Sequence, residues 1–130
     1  DVFREIPCGS ETILIVEDEE TVRKLTVRVL ERQGYKLLEA SDGNEALLLC
    51  EEFKDSIHLI LTDVVMPGMS GRKLVDFLKE ICPEIKALYM SGYTDNAIVH
   101  HGMLEEGIEF IQKPFTMEKL AGKVREVLDK

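Results

Sequence analysis

The sequence has little of what marks several specialised classes of protein. It contains no tryptophan, only 6% aromatic residues, four prolines and three cysteines in 130 residues. Cys8, Cys50 and Cys82 are odd in number and widely spaced, which argues against a disulfide framework or a zinc site. No apolar run approaches the roughly 20 residues of a membrane-spanning helix, and none of these residues has the pattern expected of a secretory leader. We therefore expect a cytoplasmic protein that makes no direct membrane contact.

Basic residues are outnumbered by acidic ones. The chain has 25 acidic and 16 basic side chains, giving a formal net charge of −9. Nucleic-acid binding is not expected, because phosphate repels a net negative surface. The length fits one domain, and the 45% hydrophobic content is enough for a packed core without a disulfide or metal. Since the chain begins with Asp1 rather than methionine, we expect it to be a portion of a longer protein.

The hydrophobic pattern divides the chain near residue 12. Residues 1–11 have no periodicity and contain Pro7 and the Gly9–Ser10 pair, so we interpret them as a linker or disordered N-terminus, with one folded domain over 12–130. Beyond that point, short apolar runs alternate with amphipathic stretches, the weakest of them at 95–105. The predicted strands are 13–16, 36–39, 57–62, 87–91 and 108–112. Five strands alternating with five helices predict an α/β fold with a parallel sheet, and apolar strands without alternation predict that the sheet is covered on both faces.

Polar side chains follow four of the five predicted strands. Glu17 and Asp18 follow the first, Asp63 the third, Ser91 ends the fourth, and Lys113 follows the fifth. Because the carboxyl ends of parallel strands meet at one edge of the sheet, we expect these side chains to lie close together. Carboxylates about 4 Å apart repel by about 4 kcal/mol per pair at an effective dielectric of 20. Mg²⁺, which prefers oxygen ligands, is the cation expected to offset that repulsion.

The same five residues favour phosphoryl chemistry. A hydroxyl and an ammonium beside a divalent cation are the groups expected around a phosphoryl group in transfer, whose charge spreads over three oxygens. A carboxylate can be the covalent acceptor in such a site. Asp63 is the best candidate, because it stands alone at the end of the strand that looks most central.

Four segments together resemble one known family. LIVEDEE at 14–20, LILTDVVMPGMSG at 59–71, ALYMSG at 87–92 and FIQKPF at 110–115 are similar to the four motifs of response-regulator receiver domains of two-component signalling. The resemblance covers about residues 12–129 with the motifs in the same order. It implies a doubly wound, flavodoxin-like α/β fold with five strands in the order 2-1-3-4-5 and five helices.

The resemblance also implies an acceptor and a metal site. Asp63 matches the aspartate that accepts the phosphoryl group. Glu17 and Asp18 match the acidic pair that binds Mg²⁺ or Mn²⁺, together with Asp63 and the backbone carbonyl of Val65. Glu17 departs from the aspartate of many relatives, and its longer arm is expected to alter metal affinity.

Further residues match the positions that contact the phosphoryl group and respond to it. Ser91 and Lys113 match the serine and lysine that contact the phosphoryl oxygens. Ser91 and Phe110 match the two switch positions. The family further implies a cis peptide bond between Lys113 and Pro114.

The partner implied by the resemblance is a histidine kinase or a histidine phosphotransfer domain. Residues 89–102 are more specifically similar to receivers fused to the C-terminus of hybrid sensor histidine kinases, so a tether to a membrane sensor kinase stays open, as does a stand-alone regulator. We expect a monomer or weak dimer. Catalytic activity is expected to be limited to slow autophosphatase activity.

Two other classes of protein remain as alternatives. A phosphatase of the haloacid-dehalogenase type also uses an aspartyl phosphate, but it needs an aspartate at the position of Val65. A pure binding module, either a flavin-binding domain or a receiver that is never phosphorylated, is the second. The first strand is not followed by a Ser/Thr/Gly-rich phosphate loop, which counts against flavin, and the complete acidic set counts against an inactive receiver.

Overall fold

The computed structural model describes residues 6–92 and 109–130, in which strands and helices alternate along the chain. Five strands and four helices lie within these ranges. The elements, in chain order, are β1 Thr12–Val16, α1 Glu20–Arg32, β2 Lys36–Ala40, α2 Gly43–Glu52, β3 Leu59–Asp63, α3 Gly71–Ile81, β4 Lys86–Ser91, β5 Phe110–Gln112 and α4 Met117–Leu128. The helix predicted over 95–105 lies outside the described residues.

The five strands form one parallel sheet in the order β2-β1-β3-β4-β5. The predicted fold class and strand order are therefore confirmed. Chain order reverses at β1, which lies between β2 and β3. The carboxyl ends of β1 and β3 are thus neighbours at the point where ligands bind in open parallel sheets.

Helices cover the sheet on both faces because successive strand side chains point to opposite sides. Ile13 and Ile15 of β1 pack on one face with residues of α1 and α4, whereas Leu14 and Val16 pack on the other with residues of α2 and α3. All four side chains are fully buried. Each such residue contributes about 1.5–3 kcal/mol relative to an exposed side chain, so the apolar strands hold the edge of the sheet rigidly.

Short polar side chains and one glycine fix the helix ends. Asp42, Ser70 and Thr116 accept hydrogen bonds from backbone N–H groups in the first turns of α2, α3 and α4, respectively, at 2.9–3.1 Å. Gly34 follows α1 with φ at 101°, a conformation that residues with a Cβ rarely adopt. These contacts confirm that Thr116 caps the last helix and that Gly34 ends the first.

The third strand differs from its predicted limits of 57–62. β3 begins at Leu59 and ends at Asp63, which pairs with Met90 of β4. His58, which precedes the strand, still bonds to Thr12: its backbone N–H donates to the Thr12 carbonyl at 2.9 Å, and its Nδ1 accepts from the Thr12 N–H at 3.0 Å. Asp63 is therefore the last residue of the strand rather than the first residue after it, and its position is fixed by the sheet.

Residues 6–11 form neither helix nor strand but contact the folded domain. The backbone N–H of Gly9 donates to the Gln33 carbonyl at 3.0 Å, and Arg125 of α4 forms an ion pair with Glu11 at 2.6 Å. Arg125 also donates to the Tyr35 hydroxyl. The boundary between a linker and the domain at residue 12 stays a prediction.

Two of the three cysteines meet in the core. Cys50 and Cys82 are buried with their sulfur atoms 3.1 Å apart, while Cys8 is exposed. Burial and the neighbouring Cys82 raise the pKa of Cys50 to about 12, so it packs as a neutral thiol. Among the described residues, no helix is long and apolar enough to cross a lipid bilayer.

Gly71 at the start of α3 is predicted to tolerate no side chain. A Cβ there would lie 1.9 Å from the Asp63 carbonyl oxygen and 3.0 Å from its carbonyl carbon, which are backbone atoms. We expect Gly71→Ala to lower the free energy of unfolding by about 1–3 kcal/mol in urea denaturation. Gly122→Ala is the matched control, because a Cβ on that helical glycine meets no atom within 4 Å. It should leave stability unchanged or raise it by up to about 1 kcal/mol, and equal losses in both variants would contradict the packing described here.

Candidate functional site

Two acidic side chains meet at the carboxyl edge of the sheet. Val16 of β1 pairs with Thr62 of β3, so the residues that follow them, Glu17 and Asp63, leave the two strands side by side. Glu17 is 1% exposed and Asp63 4% exposed. The Glu17 backbone N–H donates to the Ala40 carbonyl at 3.1 Å, which continues the β1–β2 pairing by one residue. The sheet therefore places two buried carboxyl groups next to each other.

One lysine joins these two carboxyl groups. The Lys113 Nζ lies 2.7 Å from an oxygen of Glu17 and 2.7 Å from an oxygen of Asp63. Its backbone N–H donates to the Ser91 carbonyl at 2.7 Å, so the residue after β5 remains attached to β4. The Lys113–Pro114 peptide bond is cis, as expected from the family resemblance.

The charges at this edge perturb all three groups. Burial, together with the hydrogen bond and charge of Glu17, raises the pKa of Asp63 to about 8, although Lys113 acts in the opposite direction. Burial would raise the pKa of Glu17 too, but hydrogen bonds with Asp63 and Lys113 outweigh burial and lower it. Burial would lower the pKa of Lys113, and its two carboxylate partners outweigh burial and raise it. Of the two carboxyl groups, Asp63 is therefore the one whose protonated form is favoured.

Asp18 completes an acidic cluster that could hold a metal ion. One carboxylate oxygen from each of Glu17, Asp18 and Asp63 lies within 4.8 Å of the others, and Asp18 is exposed at the rim. All these donors are oxygens, which suits a hard cation such as Mg²⁺. Within the described residues, Lys113 is the cation that contacts both Glu17 and Asp63. The residues present therefore fit a divalent cation.

The remaining predicted site residues occupy three different environments. Ser91 is buried as the last residue of β4, at the same edge as Asp63. Val65 lies two residues beyond Asp63 and is 44% exposed. Phe110 is the first residue of β5, pairs with Tyr89 and is 38% exposed. The structure brings Glu17, Asp18, Asp63 and Lys113 together, and the roles of Ser91, Val65 and Phe110 stay predictions.

Two residues next to the site were not found from the sequence. Arg23 donates from Nη1 to the Glu17 carbonyl at 2.8 Å and from Nε to Glu39 at 3.2 Å. An arginine in the first turn of an amphipathic helix has the pattern of a solvent-facing residue. Arg23 is mostly buried because α1 packs against β2. This packing brings Arg23 to Glu39, which lies 16 residues later in the chain.

Comparison with known proteins agrees with the fold. The family model described as the response regulator receiver domain matches residues 13–125. The chain is 40% identical over 122 residues to the sensor kinase CckA of Brucella abortus, covering 94% of this chain and 13% of that protein. It is 29% identical over 116 residues to the response regulator receiver protein CpdR of the same organism, covering 89% and 95%, respectively.

Solved structures of receiver domains have the same fold as this chain. The receiver domain of the hybrid histidine kinase CckA superposes with a TM-score of 0.76 at 34% identity, covering 90% of this chain and 98% of that one. A response regulator receiver domain from Clostridium thermocellum superposes with a TM-score of 0.81 at 28% identity, covering 92% and 94%, respectively. The family match, the sheet order and the acidic cluster agree, and the chain belongs to the response regulator receiver domain family of two-component signalling.

Proposed function

We propose that this domain accepts a phosphoryl group onto Asp63 from the phosphohistidine of a histidine kinase or histidine phosphotransfer domain, in a reaction that depends on Mg²⁺ or Mn²⁺. The observation that carries the proposal is the pairing of a buried Asp63 with Lys113 at 2.7 Å, inside the cluster that Glu17 and Asp18 complete. Family membership supports the same role. Modification of Asp63 then shifts an equilibrium between two conformations, which passes the signal on.

The transfer itself needs an ionised Asp63. A carboxylate oxygen of Asp63 bonds to phosphorus as the bond from phosphorus to the histidine nitrogen breaks, and the imidazole leaves with the electron pair of that bond. A pKa of about 8 keeps much of Asp63 protonated at neutral pH in the metal-free protein. A cation held by Glu17, Asp18 and Asp63 would favour the ionised carboxylate and offset charge on the phosphoryl oxygens.

In this proposal, Lys113 and Ser91 bind the product. The ammonium of Lys113 now joins Glu17 and Asp63, and its three donors allow it to contact a phosphoryl oxygen on Asp63 as well. Ser91 lies at the same edge, and its hydroxyl is the second donor in the proposal. Both contacts stabilise charge on the phosphoryl group. Hydrolysis of the acyl phosphate would be slow, so the domain works as a signalling module with weak autophosphatase activity.

The parent protein is proposed to be either a hybrid kinase or a stand-alone regulator. The chain spans 13% of the sensor kinase it resembles but 95% of the single-domain receiver protein CpdR. The higher identity to the kinase, 40% against 29%, favours a hybrid kinase in the cytoplasm or tethered to a membrane sensor.

Phosphorylation is expected at Asp63 alone. The wild-type chain incubated with acetyl phosphate and Mg²⁺ should gain one phosphoryl group by intact-mass spectrometry, and EDTA should abolish the gain. Asp63→Asn should not be modified. Asp55→Asn, a control at an exposed aspartate outside the cluster, should label like wild type. Equal labelling of Asp63→Asn and wild type would refute the assignment.

Mg²⁺ binding is expected to weaken as the pH falls. Asp63 has its pKa raised to about 8, so below that pH the cation must displace one proton. The apparent affinity measured by calorimetry should fall towards 10-fold per pH unit between about pH 8 and pH 6, since one pKa unit corresponds to about 1.36 kcal/mol. Asp63→Asn lacks the titrating group and should show a flatter profile. An affinity in wild type that is constant over this range would contradict the proposal.

A further inference from the structure

We propose that Arg23 is a positioning residue that holds Glu17 in place for divalent-cation binding. Together with Glu39 it forms what we term the Arg23 clamp, defined by Arg23, Glu39 and the backbone carbonyl of Glu17. The inference rests on the proposed function, because it assigns a role at the same metal site. It is carried by contacts that reach the site from two other elements of the fold.

The clamp joins three parts of the chain. Arg23 lies in the first turn of α1, where its backbone N–H donates to the Glu19 carbonyl at 2.9 Å. Its guanidinium donates from Nη1 to the Glu17 carbonyl at 2.8 Å and from Nε to Glu39 of β2 at 3.2 Å. Only 13% of the Arg23 side chain is exposed. A single planar group thus ties the loop after β1 to both α1 and β2.

The loop held by the clamp carries two of the three acidic residues of the metal site. The Glu17 backbone is fixed on one side by its N–H bond to Ala40 and on the other by Arg23. Its carboxylate in turn accepts from the backbone N–H of Glu19 at 3.2 Å. A glutamate has one more rotatable bond than an aspartate, so its carboxylate depends more on such support. Losing Arg23 would free the carbonyl and let the loop move.

Charge and position predict opposite effects of removing Arg23. A positive group near a cation site repels the cation, so an effect of charge alone would make Mg²⁺ bind more tightly once Arg23 is removed. Loss of support for the Glu17 loop would make Mg²⁺ bind more weakly. The sign of the change in affinity therefore distinguishes a positioning residue from a nearby charge.

Lys24 provides a matched control on the same helix. Its Nζ lies 3.2 Å from the same Glu39 carboxylate, and its contacts within the described residues do not include Glu17. Its side chain is 56% exposed, so its removal leaves no buried gap. Lys24→Ala removes one positive charge and one partner of Glu39 while leaving the Arg23 clamp in place.

The first experiment measures Mg²⁺ affinity by calorimetry in the 130-residue chain and three variants. We expect Arg23→Ala to weaken binding about 10-fold, the lower end of what the loss of a group supporting a metal ligand costs. Lys24→Ala should bind as tightly as wild type or more tightly. The Mg²⁺ affinity of Arg23→Lys should lie between those of Arg23→Ala and wild type, because an ammonium keeps the charge but lacks the planar fork that reaches both oxygens. Unchanged or tighter binding in Arg23→Ala would overturn the inference.

A second measurement needs no metal ion. In metal-free protein, amide hydrogen exchange at Glu19 reports whether its N–H still donates to the Glu17 carboxylate. Exchange should be several-fold faster in Arg23→Ala and Arg23→Lys than in wild type and in Lys24→Ala. Unchanged exchange in both Arg23 variants would overturn the clamp. If wild type binds no Mg²⁺ while Glu19 exchange responds as expected, the proposed metal site is wrong. The support of the Glu17 loop by the Arg23 clamp then still stands.

Discussion

Two buried carboxyl groups held against one ammonium ion are the constraint on which this structure depends. Glu17 and Asp63 lie almost completely inside the protein, and Lys113 contacts both at 2.7 Å. Burying a charge is costly unless it is paired and hydrogen-bonded. The three groups lie at the ends of β1, β3 and β5. The apolar residues of these strands fix the backbone from which each group projects, and their burial offsets the cost of burying the charges. The rigid sheet therefore maintains an arrangement that the three groups would not adopt alone.

The excess of acidic over basic side chains at this edge of the sheet connects the structure to its proposed chemistry. One ammonium faces two carboxyl groups, with Asp18 at the rim as a third. Burial, together with the neighbouring Glu17, raises the pKa of Asp63 to about 8. A divalent cation and a phosphoryl group are the ligands proposed for this site, because the first would replace the proton and the second would give Lys113 another anionic partner. The clamp formed by Arg23 belongs to the same arrangement, since it holds the backbone of Glu17 without contacting the carboxylates that would bind the cation.

Much of the fold and the candidate site could be predicted from the sequence because both follow from short-range patterns. Apolar runs without alternation predicted buried parallel strands, and the polar residues after them predicted the carboxyl edge. Glu17, Asp18, Asp63 and Lys113 do meet there. The strand order came from the family resemblance, because hydrophobic periodicity does not specify which strands are neighbours.

The features that were missed depend on contacts between distant residues. Nothing in the pattern around Arg23 indicates that it reaches across to Glu39, since that contact requires α1 to pack beside the end of β2. His58, the residue before β3, bonds to Thr12, 46 residues earlier in the chain. The contact of Cys50 with Cys82 likewise arises only when α2 packs against the end of α3.

The most direct test of this account is a carboxyl-carbon NMR titration of the metal-free protein. Burial and the neighbouring Glu17 predict that Asp63 titrates near pH 8, with Glu17 ionising below its usual range. Because Lys113 lowers the pKa of Asp63, Lys113→Met should move the Asp63 titration to still higher pH. An Asp63 carboxyl that titrates near the ordinary value of 3.8, with no response to Lys113→Met, would contradict the central claim that the three groups form one buried, charge-coupled site.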